Sequence, residues 1–339
     1  MAGAEAAVMS IGNLGLGIPS SESETRTSDR GGSNAMDHPK EVVEMDGLPE
    51  GCVAHIISLT TPRDAARCSA VSRAFHSASD SDAVWRKFLP PDLDLIVSTS
   101  PLPPPPPLGP PLTRKKDVFL RLCGPPLLID SGRKSFALEK WSGKKCYMIG
   151  ARDLSIVWGD TPRSWRWSSL HVSRFPEVAE LLRVCWLEVH AKMEMRLLSA
   201  DTYYAAYFIF KFVHENYGFE NRPVEVSIFP GSAGERCTIY LDPDRRLRQQ
   251  YETWRERYPH IARDASAARV IQDNEKQIPR DRGDGWKEVD LGKFFVSDPS
   301  TGEVQINLME VKSGNWKSGL VIQGIELRPT QMTSRESSR

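Results

Sequence analysis

The residues best suited to binding chemistry in this chain are three tryptophans within ten positions. The segment reads Trp158-Gly159-Asp160-Thr161-Pro162-Arg163-Ser164-Trp165-Arg166-Trp167. A Gly-Asp-Thr-Pro turn between tryptophans can leave indole rings on a loop or at a strand edge. Sugars present apolar C–H faces ringed by hydroxyls, so a sugar site needs an aromatic platform with polar groups such as Asp160 and Arg163 beside it. The alternative is that these tryptophans pack in a core.

Glu188, His190 and Glu194 have the residue types of a metal site or an acid–base pair. They alternate, however, with Leu187, Val189, Ala191 and Met193, which predicts a strand with one buried and one solvated face. Cys146 and Cys185 fall in apolar stretches predicted to be strands, where a thiol is not activated. The chain also lacks a Walker loop, a dinucleotide fingerprint, a nucleophile elbow and a His-Glu-x-x-His motif. We therefore expect no catalytic residue, no metal and no cofactor.

The elements expected to position these residues are strands. From about Leu127 onward, apolar and polar residues alternate most clearly in Trp186 to Leu197, Ala206 to Phe212, Val224 to Ile228, Ile239 to Leu241, Val304 to Leu308 and Leu320 to Ile322. Many short strands of this kind predict an antiparallel β-sandwich over residues 127–330. Phe175 to Leu182 is predicted to be a short helix ahead of the long strand. Trp141, Trp186 and Trp286 are assigned to packing.

Residues 45–90 follow a helical period instead. Leu48-Pro49 opens a helix whose Val53, Ile56 and Ile57 share one face. Further helix starts are predicted at Thr61-Pro62-Arg63-Asp64 and at Asp80-Ser81-Asp82, the latter followed by Val84, Trp85, Phe88 and Leu89. About 45 residues bury too little surface for a robust fold, so either a partner helix or the rest of the chain must complete this bundle. The fold class is therefore α+β: a small helical module followed by a sandwich.

The remaining segments are predicted to be tails and spacers. Residues 1–44 are rich in Ser, Gly and Ala without periodicity and are expected to form a disordered tail, as are residues 331–339. Residues 91–126 are predicted to be a linker, with a proline run from Pro101 to Pro111 in polyproline II conformation and a short helix from Thr113 to Leu122.

Charge argues against nucleic acid and membrane partners. Lys plus Arg and Asp plus Glu both number 44, so the net charge is zero. Residues 242–285 hold many arginines, but acids offset them, and we interpret the segment as a charged surface loop. No stretch approaches the ~20 apolar residues of a membrane helix. The six cysteines lack CxxC spacing and are expected to be reduced, which favours a cytoplasmic or nuclear location.

The helical module resembles an F-box. The resemblance lies in Leu48-Pro49-Glu50, Pro62-Arg63-Asp64, Val71-Ser72-Arg73-Ala74-Phe75 and Trp85-Arg86-Lys87-Phe88-Leu89. It implies docking onto the Skp-type adaptor of a cullin-RING ubiquitin ligase. The expected adaptor-facing residues are Leu48, Pro49, Ile56, Ile57, Val71, Trp85 and Leu89.

The β region resembles the phloem lectin family of plants. The resemblance is carried by Lys140 to Tyr147, Ala151 to Asp160, Arg174 to Leu181, Gly302 to Leu308 and Lys317 to Pro329. It implies a jelly-roll-like sandwich akin to carbohydrate-binding modules, with Trp158 and Trp165 binding N-acetylglucosamine oligomers or N-glycan cores and Asp160 beside them. Ser164 stands where the family commonly has a tyrosine, which thins the expected aromatic platform.

Together these resemblances predict a non-catalytic, substrate-recognition subunit of an SCF-type ubiquitin ligase. Its sandwich would bind a glycan or glycoprotein target. Two alternatives remain open at this point: an intracellular lectin that acts without the ligase, and a ligase receptor that recognises protein rather than sugar.

Overall fold

The computed structural model describes residues 48–100, 114–220, 222–231, 234–241, 257, 278–300 and 302–330. The predicted tails, the proline run from Pro101 to Pro111 and the charged loop 242–285 apart from residues 257 and 278–285 lie outside these residues and stay predictions.

The helical module contains, within the described residues, α1 Glu50–Ser58, α2 Pro62–Cys68, α3 Arg73–Asp80, α4 Asp82–Phe88, α5 Leu93–Ser98 and α6 Lys115–Leu122. The predicted cap at Thr61 is confirmed, because its Oγ1 accepts a hydrogen bond from the Asp64 N–H at 3.2 Å. Ser81 caps α4 in the same way through the Ala83 N–H at 3.3 Å. Helix α6 is where the sequence predicts it, whereas α5 falls in a segment predicted to be linker.

The strands are β1 Leu127–Ile129, β2 Lys134–Leu138, β3 Lys145–Gly150, β4 Ser155–Ile156, β5 Trp165–Ser168, β6 Val178–Leu181, β7 Leu187–Glu194, β8 Thr202–Tyr217, β9 Pro223–Pro230, β10 Glu235–Tyr240, β11 Arg280–Asp281, β12 Lys287–Val296, β13 Glu303–Glu310 and β14 Ser318–Thr330. Every pairing among them is antiparallel.

Among the described residues these strands form two sheets. The larger has the order β1-β2-β3-β14-β8-β12-β11, with β5 and β6 joined to it through β14, and the smaller has the order β10-β9-β13-β7-β4. The predicted alternation in β7 is confirmed, since Leu187, Val189, Ala191 and Met193 are buried. They share one core with β13 and β8, so the two sheets pack face to face as a β-sandwich.

The outer face of the larger sheet is covered as well. Met148, Ile209 and Val321 pack there with Trp286 and with Phe175 of the segment that precedes β6. The prediction of a helix from Phe175 to Leu182 is therefore wrong. Tertiary pairing overrides the helical pattern, because β6 hydrogen-bonds with both β5 and β14.

A buried ionic cluster lies on the same sheet. The Glu326 carboxylate accepts hydrogen bonds from Arg174 Nη1 and Arg282 Nη1, each at 2.8 Å, and lies 3.2 Å from Arg328 Nε. Burial alone would raise the pKa of Glu326, but these three guanidinium groups outweigh it, and the pKa is lowered. The carboxylate is thus held charged inside the fold.

The helical module packs directly on the sandwich. Lys145 Nζ at the start of β3 lies 2.8 Å from Asp92 Oδ2, just before α5. Phe119 of α6 joins Trp85 of α4 with ring centroids 5.2 Å apart, in a core continuous with that of the sandwich. The partner that completes this small bundle therefore includes the chain itself.

The module lies at one end of β14. Leu327, near the carboxyl end of β14, pairs with Tyr147 close to Lys145, whereas Ser318 at the amino end pairs with Tyr217. At about 3.3 Å per residue, the 13 residues of β14 span ~40 Å. The helical module and the Ser318 end of β14 are thus at opposite ends of the sandwich.

Candidate functional site

The tryptophan segment folds as a loop that is stabilised by hydrogen bonds from two of its own indoles. Trp165 and Trp167, two residues apart on β5, point the same way. Trp165 Nε1 donates a hydrogen bond to the Val157 carbonyl at 3.2 Å, and Trp167 Nε1 donates to the Gly159 carbonyl at 3.0 Å. These two bonds fix the backbone on either side of Trp158.

Trp158 itself faces solvent. Its side chain is 56% exposed, and its backbone lies in the left-handed region with φ 62°. A bulky residue rarely adopts this conformation, so the flanking bonds must hold it there. The Thr161 N–H adds a bond to the Trp158 carbonyl at 2.9 Å. The loop therefore presents a positioned indole at the surface.

The residues that follow Trp158 in the loop border an open cavity of about 420 Å³, which is lined by Gly159, Asp160, Pro162, Trp165, Arg166, Trp167 and Leu182, and not by Trp158 itself. Asp160 and Arg163 are exposed at the loop. On the other side of β5, Arg166 forms a bidentate pair with Glu180, at 3.1 and 2.6 Å. The cavity thus combines ring faces with polar groups, which is the composition of a site for a polyhydroxylated ligand.

Arg152 supports the back of this loop. Its guanidinium carbon lies 3.8 Å from the centre of the Trp167 ring, and its nitrogens bind Glu177 at 2.8 and 3.0 Å. The hydrogen bond from Arg152 lowers the pKa of Glu177, so the pair stays charged. Trp167 is therefore held between Arg152 and the Gly159 carbonyl.

The expected sugar-binding residues separate into two groups. Trp158 and Asp160 are exposed next to the cavity. Trp165 is only 2% exposed; it forms the floor of the cavity and positions the loop, and a contact of its ring with sugar stays a prediction. The assignment of tryptophans to packing holds for Trp286 but is wrong for Trp141 and Trp186, which are both more than half exposed.

The expected adaptor-facing residues also fall into two groups, one at the surface and one in the core of the module. Pro49, Ile56 and Val71 are exposed, and Leu48 and Leu89 are half-buried. Ile57 is 1% exposed and Trp85 donates its indole N–H to the Ser79 carbonyl at 2.7 Å inside the module, so both belong to the module's own core. Leu59, which the sequence analysis did not single out, is 71% exposed. It follows Ile56 by three residues, and this helical spacing could have placed it on the same face of α1 as Ile56.

The residues with catalytic or metal-binding types do not converge. His190 bonds Glu188 at 2.9 Å and Asn307 at 2.7 Å on the outer face of β7, and within the described residues no three His, Cys, Asp or Glu could hold a metal. Burial raises the pKa of the Cys146 thiol to about 12. Cys185 lies in a bend before β7, not in a strand.

In the part of the chain that the structure describes, no helix has the length and apolar character needed to cross a membrane.

Comparison with known proteins gives two matches to family models. Residues 144–329 match phloem protein 2, and residues 45–90 match an F-box-like model. An F-box protein of Arabidopsis thaliana is 42% identical over 287 residues, covering 84% of this chain and 80% of the relative. The F-box protein PP2-B1 of the same plant is 38% identical over 310 residues, covering 84% of this chain and 89% of the relative.

Among solved structures, the chain is similar to TmCBM61 in complex with β-1,4-galactotriose, with TM-score 0.26 and 10% identity over 52% of this chain and 87% of that one. It is also similar to the xylan-binding domain CBM22-1 of Paenibacillus barcinonensis Xyn10C, with TM-score 0.27 and 5% identity over 54% and 90% of the two chains.

Proposed function

This chain belongs to the phloem protein 2 family and carries an F-box-like segment, and we propose that it is the substrate-recognition subunit of an SCF-type ubiquitin ligase. The F-box docks on the Skp-type adaptor and through it on the cullin-RING ligase. The sandwich binds a glycoprotein target through a glycan that contains N-acetylglucosamine. The proposed place of action is the cytoplasm or the nucleus.

One observation carries the adaptor half of the proposal. The F-box module closes its own core with Ile57 and Trp85, yet leaves Ile56, Leu59 and Val71 exposed at the end of α1 and at the turn after α2. Exposed large apolar residues on a small module indicate a protein partner. The proposed adaptor-facing set is therefore Leu48, Pro49, Ile56, Leu59, Val71 and Leu89.

Co-purification with the adaptor tests this half. Full-length protein with Ile56→Glu and Leu59→Glu should lose the adaptor while its unfolding temperature stays unchanged. Leu95→Glu is the matched control, since Leu95 is an equally exposed apolar residue of α5, outside the F-box. Retention of the adaptor by the folded double variant would refute the proposed face. Glycan binding without any adaptor binding by the wild type would instead support a lectin that acts without the ligase.

The exposed indole of Trp158 carries the glycan half. Its ring is exposed on the loop whose next residues, Gly159 and Asp160, line the cavity, and there a pyranose can stack its C–H face on an indole and hydrogen-bond its hydroxyls. A glycan array with the full chain, compared with Trp158→Ala, tests this directly. Trp141→Ala is the control, because Trp141 is 57% exposed but lies beside the F-box module.

A second candidate for the sandwich is recognition of protein. The burial of Trp165 and the presence of Ser164 favour it, since the two indoles that line the cavity, those of Trp165 and Trp167, are buried and half-buried. No glycan binding by the wild type, with target capture that depends on Trp158, would support this reading over the first.

A further inference from the structure

The loop between β2 and β3 of the sandwich is anchored to the first turn of α2 in the F-box module. The Arg63 N–H donates a hydrogen bond to the Trp141 carbonyl at 3.4 Å. Gly143, with φ 71°, lies so close to the module that a Cβ there would come 3.2 Å from the Phe88 carbonyl oxygen and 3.3 Å from Pro62 Cγ. The sandwich therefore contributes a segment to the surface of the F-box module.

This loop is held in one shape by its own hydrogen bonds. The Glu139 carboxylate accepts hydrogen bonds from the backbone N–H groups of Trp141, at 3.1 Å, and of Ser142, at 2.7 Å. The Glu139 N–H donates to the Lys144 carbonyl, and the Gly143 N–H donates to the Glu139 carbonyl, each at 2.8 Å. A side chain on backbone that is fixed in this way loses little freedom when a partner covers it.

The Trp141 side chain is exposed and has two cations beside its ring. The guanidinium carbon of Arg63 lies 5.6 Å from the ring centre, and Lys140 Nζ lies 5.5 Å from it. Both cations are at the surface, and within the described residues neither of them forms an ion pair. We call Trp141, Arg63 and Lys140 the junction patch. An exposed indole beside two unpaired cations suits a protein surface that offers an apolar side chain and a carboxylate.

The junction patch is continuous along the chain with the surface proposed for the adaptor. Leu59, which is 71% exposed, is the residue after α1, and Arg63 follows it by four residues in the first turn of α2. Four residues of chain span at most about 14 Å. A standard protein interface covers ~800 Å² on each partner, a region about 30 Å across. A single partner seated on Leu59 is therefore large enough to cover the junction patch as well.

We infer that the adaptor interface extends from the F-box onto the sandwich, and that the junction patch binds an apolar side chain and a carboxylate of the Skp-type adaptor. This inference rests on the proposed adaptor-binding function. The adaptor is favoured over a target protein as the occupant, because Arg63 and Leu59 both belong to residues 45–90, which match the F-box-like model. The two domains would then be recognised by the adaptor together.

Surface plasmon resonance with the full chain and the adaptor tests this inference. Trp141→Ala should weaken adaptor binding about tenfold. Lys140→Glu should weaken it more at low than at high salt concentration, because salt screens the repulsion from the adaptor carboxylate. Trp316→Ala is the matched control and should leave binding unchanged. Trp316 is 50% exposed and has the guanidinium carbon of Arg183 4.3 Å from its ring centre, but it lies beside the Ser318 end of β14.

The outcomes separate the two proposals. Loss of the adaptor by the Ile56→Glu, Leu59→Glu variant together with full binding by Trp141→Ala overturns the extended interface alone. No adaptor binding by the wild type overturns the adaptor function and the extension with it. Equal weakening by Trp141→Ala and Trp316→Ala also overturns the extension.

Hydrogen exchange distinguishes a direct contact from support of the fold. Exchange in α1 and α2 should be the same in Trp141→Ala as in the wild type, because the exposed indole would act only in the complex. Faster exchange in these helices would mean that the ring stabilises the module from within, and it would overturn the proposed contact.

Discussion

The indole nitrogen of Trp165 lies 3.2 Å from the carbonyl oxygen of Val157, the residue immediately before Trp158. A buried tryptophan thereby holds the backbone of an exposed one. We propose that the buried ring positions its neighbour and that the exposed ring contacts the ligand. The two residues that the family resemblance groups as one binding pair thus have different physical tasks.

Replacing Trp165 with phenylalanine should separate these tasks. The ring stays buried but the donor is lost, so the free energy of unfolding should fall by only about 1 kcal/mol. Glycan affinity should fall clearly, because the loop at Trp158 loses one of its two braces. Urea unfolding and glycan titration measure the two effects. Full glycan affinity in Trp165→Phe would show that the hydrogen bond from Trp167 alone is sufficient. For comparison, Trp165→Ala removes the whole buried ring and should lower the free energy of unfolding by ~3–5 kcal/mol.

Neighbouring isoleucines on α1 should respond in opposite ways. Ile57→Ala removes a fully buried side chain and should lower stability by about 2–5 kcal/mol, while adaptor affinity of the remaining folded protein changes little. Ile56→Ala should leave stability nearly unchanged and weaken adaptor binding. Denaturant unfolding together with adaptor binding by surface plasmon resonance distinguishes the two variants. Equal behaviour would contradict the assignment of faces on α1.

The Glu326 cluster predicts a pH dependence of stability. Its folded pKa lies below the ordinary value of 4.5, so its contribution is complete above that value and is lost as the pH falls through the folded pKa. Glu326→Gln should cost about 3–5 kcal/mol at pH 7, since it leaves buried guanidinium charge uncompensated, and should flatten the acid side of the stability profile. Unfolding followed from pH 7 to pH 3 measures this. Glu303→Gln, at an exposed carboxylate, should change stability little.

The Lys145–Asp92 pair predicts how firmly the F-box module is attached. Lys145→Met keeps most of the buried stem but leaves Asp92 without its cation, at a cost of about 2 kcal/mol. Hydrogen exchange in α4 and α5 should rise, and exchange in β8 should not. The control is Lys312→Met, which breaks a solvent-exposed pair with Glu225 and should have almost no effect. Unchanged exchange in α5 after Lys145→Met would mean that the apolar contact around Phe119 suffices.

The sequence predicts those structural elements that are determined by neighbouring residues, and it fails for those that depend on contacts with distant parts of the chain. Thr61 and Ser81 cap helices as their types and spacing indicate, and β7 alternates as its residues do. The segment from Phe175 to Leu182 fails because its strand forms only by pairing with β14, which is distant in sequence. Helix α5 was missed because its short apolar run lies among prolines.

The position of the tryptophan loop was predictable from the sequence, but the orientation of its rings was not. Three tryptophans around a turn mark the loop, and the spacing of Trp165 and Trp167 already places them on one face. The left-handed backbone of Trp158 could not be foreseen, because a residue with a Cβ adopts it only when surrounding bonds impose it. Trp186 opens the alternating stretch that predicts β7 and is predicted to pack, yet it lies just before the strand and is 52% exposed.

The length of β14 has a consequence for the choice of lysines on a target. The F-box module and the Ser318 end of β14 lie about 40 Å apart on a single continuous core, so under the proposed function a target bound by its sugar at that end would always approach the ligase from the same distance and direction. In such an arrangement the acceptor lysine is selected by where the glycan is attached to the target, and not by the amino acids around that lysine. One receptor could then mark many unrelated proteins, each at a different position on its surface.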